Sequence, residues 1–382
     1  MTQDEQRVPP LWEVVALDRR VLPEASPASQ ARQRWRTLGR WLRFGAEAGD
    51  DPARDEADLQ RLSRVRLANL APPVDWRPGA PALERHLAEI GDAAGPVTLL
   101  IGAPEDRHGE VLQAWARRHG ARVLPEPKAA RLLAGERPWV AEAVGDCWVI
   151  LRLERGFLRQ AAALAGLRAF LEAALAGHLG RGVIGCDSWT WAYLRHALAL
   201  PDAVAVTLQA FDGARLSRYL AEMACRAGEH LAIRAVGSGE PVLPEGDEAP
   251  VSRELRQLAA HCRGQLGLAW HYWRARLCDA GPEGELADTL WLAEALDEPT
   301  LPGEVGEETV LLLHGLLLHG GLEETLLPEV LPLSHARVLS GLHPLERRGV
   351  VAFKNGRWRV TPLGYVSVRR LLEERAYLVD DL

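Results

Sequence analysis

The chain has 382 residues, of which 47% are hydrophobic and 25% charged, and its formal net charge is −7. That length calls for two or three cores, and the balance is that of a packed globular chain rather than a disordered one. An acidic total excludes a generally polybasic nucleic-acid binder, so any such surface has to be local.

Lys128 and Lys354 are the only lysines, against abundant arginine, which reads as GC-rich codon usage and a bacterial source. The five cysteines, at 147, 186, 225, 262 and 278, form no CxxC pair. They suit reduced thiols in the cytoplasm, with neither a zinc site nor a disulfide framework. The N-terminal MTQDEQRVPP lacks the apolar segment of a secretory signal, and no apolar run, Leu311–Leu318 included, approaches the ~18–20 residues of a membrane span. A cytoplasmic chain without membrane insertion is expected.

Residues 1–94 read as a helical N-terminal region. Ala28–Glu47 sets Trp35, Leu38, Trp41 and Leu42 at near-helical spacing, and Asp55–Leu70 repeats leucines. Prolines 72, 73, 78 and 81 then break the chain before Leu83–Ile90 resumes a helical pattern. Over 95–212 short apolar strands alternate with amphipathic helices, the order that yields a parallel sheet. The strands are Val97–Ile101, Ala121–Leu124, Cys147–Leu151, Gly182–Gly185 and Val204–Leu208; the helices are Gly109–His119, Gly156–Leu179 and Trp189–Leu198. Residues 213–299 read as a helical lid with segments Arg215–Ala227, Ser252–Leu268 and Glu285–Ala295.

The strand VTLLI runs into Gly102-Ala-Pro-Glu-Asp-Arg107-His108-Gly109 and then a helix, which is where a phosphate-binding loop would lie. Such a loop needs a second glycine, a lysine for the outer phosphates and a hydroxyl for magnesium. Laid on G-x-x-x-x-G-K-[ST], those positions hold Arg107, His108 and Gly109, with Glu105 and Asp106 adding negative charge. The strand Trp148–Leu151 continues as Arg152-Leu153-Glu154, so the acidic pair that positions magnesium and water is missing. At the fourth strand end, Asp187 or Ser188 could sense a phosphate, and capping of the next helix is the favoured reading.

Residues 300–382 contain helices Glu307–His319, Leu322–Val330 and His335–Arg348, strands Val350–Lys354 and Trp358–Thr361 joined by Asn355-Gly356, and a last helix Pro362–Arg375. This is winged-helix order, and the segments Leu342–Val351 and Asn355–Gly364 resemble MarR-like and ATPase-linked winged helices. From Ser334 onward nine Arg/Lys face five Asp/Glu, whereas Thr300–Leu333 carries six Glu and no basic residue. The resemblance implies that His335, Arg337 and Ser340 would face bases while Lys354, Arg357 and Arg359 lie near the DNA backbone. Contact with protein instead of DNA is equally open.

The order of parts, parallel sheet then helical lid then winged helix, resembles AAA+ and STAND-type ATPases, including archaeal origin-recognition initiators, over 95–382. The resemblance implies a degenerate member whose sheet survives as a scaffold. Trp270-His271-Tyr272-Trp273 reads as core packing, and His261, Cys262 and Cys278 lack further ligands at zinc spacing. No hydrolase elbow, HExxH or dinucleotide fingerprint is present. The expectation is a non-enzymatic pseudo-ATPase scaffold without a cofactor that binds a protein partner, Glu304, Glu307, Glu308, Glu323 and Glu324 steering a basic surface. The alternatives are a DNA-binding regulator with a ligand-sensing α/β body and a weakly active NTPase.

Overall fold

The computed structural model describes residues 9–24, 59–140, 143, 147–200, 202–226, 232–243, 250–279, 289–294 and 298–382. The expected Ala28–Glu47 helix lies outside these residues. The chain forms two compact units. One comprises Met1–Glu13, Val21–Val74 and Gln209–Leu296; the other comprises Val14–Arg20, Asp75–Leu208 and Asp297–Leu382. These units cut across the boundaries read from the sequence, because a compact unit is defined by contacts and not by runs of similar composition.

The second unit is built on a six-stranded, mostly parallel sheet. Its central strand, Val97–Gly102, is buried at every position, as a strand covered on both faces must be. It pairs in parallel with Arg181–Asp187 on one side and Val204–Leu208 on the other. Cys147–Ile150 and then Arg122–Val123 extend the sheet beyond Arg181–Asp187. The five strands expected from the sequence are thus present, in a mostly parallel-sheet α/β fold. A sixth, Val14–Ala16, closes the far edge antiparallel to Val204–Leu208 and is too short for its periodicity to be read. Helices Gly79–Ile90, His108–His119, Ala161–Leu175 and Ser188–Ala197 accompany the sheet.

Trp148 anchors the core of this unit. Its indole donates to the Leu179 carbonyl at 2.8 Å and lies where a Cβ on Gly182 would stand, so only glycine fits there. Leu318 and Leu382 join the same cluster with Leu99, Ile101, Phe170 and Ile184, which makes the C-terminal segment part of this core.

That segment contains helix Glu307–Leu318, a short helix Leu327–Val330, helix His335–Arg347, a hairpin of Val351–Lys354 and Arg357–Val360, and helix Pro362–Glu374. Asn355 (φ 53°) and Gly356 (φ 77°) are both left-handed, as the tight two-residue turn requires. The Ser334 hydroxyl accepts from the Arg337 amide and so caps the helix His335–Arg347. Beyond the last helix, buried Asp380 pairs with Arg369 and accepts from the Ser188 hydroxyl, which ties residues 377–382 to the sheet's helices.

The first unit corrects the expectation of an all-helical lid. Helices Gly213–Arg226, Arg253–His261 and Leu266–Arg276 are accompanied by a four-stranded sheet in the order Gln60–Arg61, Leu277–Asp279, Thr289–Leu292, Ala232–Ala235. Thr289–Leu292, expected within a helix, is a strand buried at all four positions. A short continuous apolar run carries no period by which to tell strand from helix. The expected Ser252–Leu268 helix is interrupted because Arg263 (φ 53°) and Gly264 (φ 71°) turn left-handed. Of Asp55–Leu70, Arg64–Leu70 is helical and Gln60–Arg61 is strand. The aromatic run packs as core: Tyr272 and Trp273 are buried, and the Trp270 indole donates to the Pro72 carbonyl at 2.7 Å.

Candidate functional site

The loop after the central strand is short and tightly bonded. The Asp106 amide donates to the Ala103 carbonyl at 3.0 Å, and Glu105 between them takes a left-handed φ of 69°. Helix His108–His119 then begins, and its first side chain turns back onto the strand. A Cβ on Gly102 would overlap the His108 ring, and one on Gly185 would stand 2.9 Å from its Cδ2. The two glycines therefore open the hollow that the imidazole fills.

His108 is 6% exposed. Its Nδ1 lies 3.2 Å from the Asp106 carbonyl, while Nε2 has no hydrogen-bond partner and stands 3.9 Å from Glu154. Burial holds its pKa below the ordinary value against the opposing pull of Glu154. A neutral ring donating from Nδ1 leaves Nε2 as a bare acceptor. Of the other loop positions, Arg107 points outward to Glu110 at 2.8 Å, and Gly109 packs near the Leu151 carbonyl. Gly102 and His108 are thus in contact, and Arg107 turns away from them.

Behind the loop sit two buried carboxylates. Glu154, in the turn after Cys147–Ile150, accepts from the Asp187 amide at 3.2 Å. Asp187 accepts from the Trp189 amide at 2.9 Å, the helix-capping role expected for it. Burial and then the neighbouring Glu154 push the Asp187 carboxyl well above the usual carboxylate range. Among the described residues no group of three His, Cys, Asp or Glu side chains could hold a metal ion.

Arg155, for which the sequence offered no signal among so many arginines, crosses to the C-terminal segment. It donates to the carbonyls of Gly320 and Gly321, each at 3.0 Å, and burial followed by nearby Arg357 pushes it down to about 10. Between the loop, these groups and the C-terminal segment lies a cavity of about 500 Å³. Leu316, Leu317 and Tyr365 line its apolar side; Arg152, Arg155 and Arg359 line its cationic side.

The residues proposed for DNA are not all turned the same way. His335, Arg337 and Ser340 are exposed on their helix, Arg337 and Ser340 away from buried Val338, Leu342 and Leu345 and His335 on a different side. Arg337 is held by Glu308 at 3.0 Å, His335 by Glu324 at 3.1 Å, and the Ser340 hydroxyl donates to the Arg337 carbonyl at 2.9 Å. Lys354 is exposed at the hairpin tip, Arg357 pairs with Glu323 at 3.3 Å, and Arg359 lines the cavity.

The same contacts alter the reading of the glutamate run. Glu308, Glu323 and Glu324 are engaged as above, and Glu307 pairs with Arg375 at 2.9 Å. Four of the five glutamates are therefore matched within their own segment, three to arginines and Glu324 to His335, a three-dimensional pairing that charge counting along the chain does not reveal.

No described helix is long and apolar enough to cross a membrane. No family model and no curated protein matches the sequence. Among solved structures, a Walker-type ATPase of Pyrococcus abyssi, PABY2304, is similar at 12% identity and a TM-score of 0.35, over 78% of this chain and 96% of that one. The RuvB Holliday junction branch migration motor of Thermotoga maritima is similar at 15% identity and a TM-score of 0.31, over 81% of this chain and 99% of that one. The α/β assignment rests on the sheet order described above, not on these likenesses.

Proposed function

We propose that the chain is a pseudo-ATPase scaffold that binds a protein partner, with residues 300–382 acting as a winged helix that meets this partner or DNA. The observation that carries the proposal is the His108 imidazole seated on Gly102, at the sequence position where a phosphate-binding loop places its lysine. A buried neutral ring gives no positive charge to a triphosphate, and Glu105 and Asp106 beside it repel one. The order helix, short helix, helix, hairpin, helix supports the winged-helix reading.

Magnesium-dependent phosphate release from ATP by the full chain should not exceed background. Turnover abolished by His108→Ala or Glu154→Gln would overturn the proposal. The second reading, DNA, is favoured by the exposure of Arg337 and Ser340 on the same helix and of Lys354 at the hairpin tip. A titration of the full chain with mixed-sequence duplex at two salt concentrations separates the two. DNA binding predicts that Lys354→Gln flattens the salt dependence and that Arg337→Ala relaxes sequence preference, at about 1–3 kcal/mol for a bidentate base contact. Absence of binding at low salt leaves a protein-docking module.

A further inference from the structure

Residues 377–382 lie on the α/β unit as a peptide lies on a receptor. The last helix ends at Glu374, and Ala376, at a left-handed φ of 54°, turns the chain back toward Arg369 of that helix and Ser188 of another. An alanine in this conformation is strained and is held there by what surrounds it. Beyond the turn there is no helix or strand, and among the described residues no backbone-to-backbone hydrogen bond holds residues 378–381. Side chains hold them instead, at alternate positions: Asp380 and Leu382 are buried, while Leu378 and Asp381 are exposed.

The anchors are chemically specific. The Asp380 carboxylate pairs with Arg369 and accepts from the Ser188 hydroxyl, and the Asp380 carbonyl accepts from Arg369 at 2.8 Å. Leu382 enters the hydrophobic cluster of the unit. On the exposed side Arg195 stands 3.8 Å from Asp381, so the acidic pair is flanked by two arginines. The receiving surface is built by other contacts. The Trp189 indole donates to the Tyr365 hydroxyl at 3.0 Å, the Arg369 guanidinium lies 5.8 Å from the centre of the Trp189 ring, and Glu373 holds Arg369 at 3.0 Å. None of these involves residues 377–382.

We infer that the groove between helices Ser188–Ala197 and Pro362–Glu374 is a peptide-docking site that the chain fills with its own residues 377–382, and that a protein partner inserts a like segment. That segment is extended, with a carboxylate for Arg369 and Ser188 and a leucine two positions further on. A carboxylate takes charge-assisted bonds from a guanidinium, and side chains two apart fall on the same side of an extended chain. Recognition of extended segments through alternate side chains is a recurring mode of peptide binding. The tethered tail competes at a high effective concentration, so a partner docks only by displacing it. This deepens the scaffold reading and rests on it for the partner, but the two fail separately. A groove blind to peptide leaves the scaffold reading standing, whereas ATP turnover removes that reading and leaves the groove.

Fluorescence anisotropy of a labelled peptide, Ala-Tyr-Leu-Val-Asp-Asp-Leu, titrated with the full chain, tests the inference. Asp380→Ala combined with Leu382→Ala frees the groove, and this variant should bind the peptide about tenfold or more tightly than the unaltered chain. Adding Arg369→Gln to it should weaken binding about tenfold, and adding Lys354→Gln, outside the groove, should leave it unchanged. Should Arg369→Gln prevent folding, Ser188→Ala carries the same comparison; should the double substitution do so, Leu382→Ala alone replaces it. A folded tail variant that binds the peptide no better than the unaltered chain would overturn the inference, as would affinity indifferent to Arg369→Gln and Ser188→Ala.

Discussion

Lowering the pH from 7.5 to 5.0 should cost the α/β unit about 4 kcal/mol of stability through two histidines. His319, 1% exposed, packs against Phe157 with ring centroids 5.0 Å apart. Burial, with Arg159, Arg155, His314 and Arg357 adding to it, holds its imidazole down to about 3. His314 is held down to about 4, by burial first and then by Arg159. An unfolded imidazole takes up its proton near pH 6.5, so below that pH the unfolded chain binds protons that the folded unit refuses. The stability linked to each histidine is complete above pH 6.5 and falls by about 1.4 kcal/mol per pH unit until the folded pKa is reached. Over the interval down to pH 5.0 each therefore loses about 2 kcal/mol. Urea unfolding at the two pH values, read by hydrogen exchange of the amides in Glu307–Leu318, measures the loss. His319→Leu should lose about 2 kcal/mol less than the unaltered chain over this interval, whatever its own stability at pH 7.5. Equal losses in the two proteins would refute the account of a buried neutral His319.

Gly102→Ala should destabilise the same unit by about 1–3 kcal/mol, because the new methyl group meets the His108 ring, and combining it with His108→Ala should recover part of that loss in a double-mutant cycle. Asp380→Ala should cost about 1–3 kcal/mol in chemical unfolding, since it takes one of two carboxylates from Arg369, Glu373 remaining at 3.0 Å, and leaves the buried Ser188 hydroxyl without its acceptor. Asn355→Ala should cost about 1 kcal/mol through its left-handed φ, while Asn355→Gly should be close to neutral; thermal unfolding of the two variants separates backbone strain from side-chain loss.

Much of the parallel sheet was legible because each of its strands is an apolar run followed by a helix with its own period, Val97–Gly102 and His108–His119 being the clearest pair. The position of the loop could be read as well, as the stretch without period that separates those two elements. What the sequence could not convey was direction. Nothing in the string Arg107-His108 says that the arginine leaves and the imidazole folds inward; that depends on Gly185, far along the chain, leaving room for the ring. Arg155 and Gly321 meet across 166 positions, and no local period reports such a contact. The Thr289–Leu292 strand was missed for a different reason: four buried residues give no alternation to read.

The edge strand Val14–Ala16 has a consequence for the order in which the protein can be made. It leaves the ribosome well before its sheet neighbour among the described residues, Val204–Leu208, which follows 194 positions later, since Val14 pairs with Leu208. At ~5–20 residues per second that is a wait of about 10–40 s, during which the strand lacks its ladder partner. Nor can the other unit finish in the meantime, because its contributing stretches are threaded alternately with those of the α/β unit as far as Leu296. Contacts so distant along the chain are slow to form, and a nascent chain in that interval is the natural target of a holding chaperone.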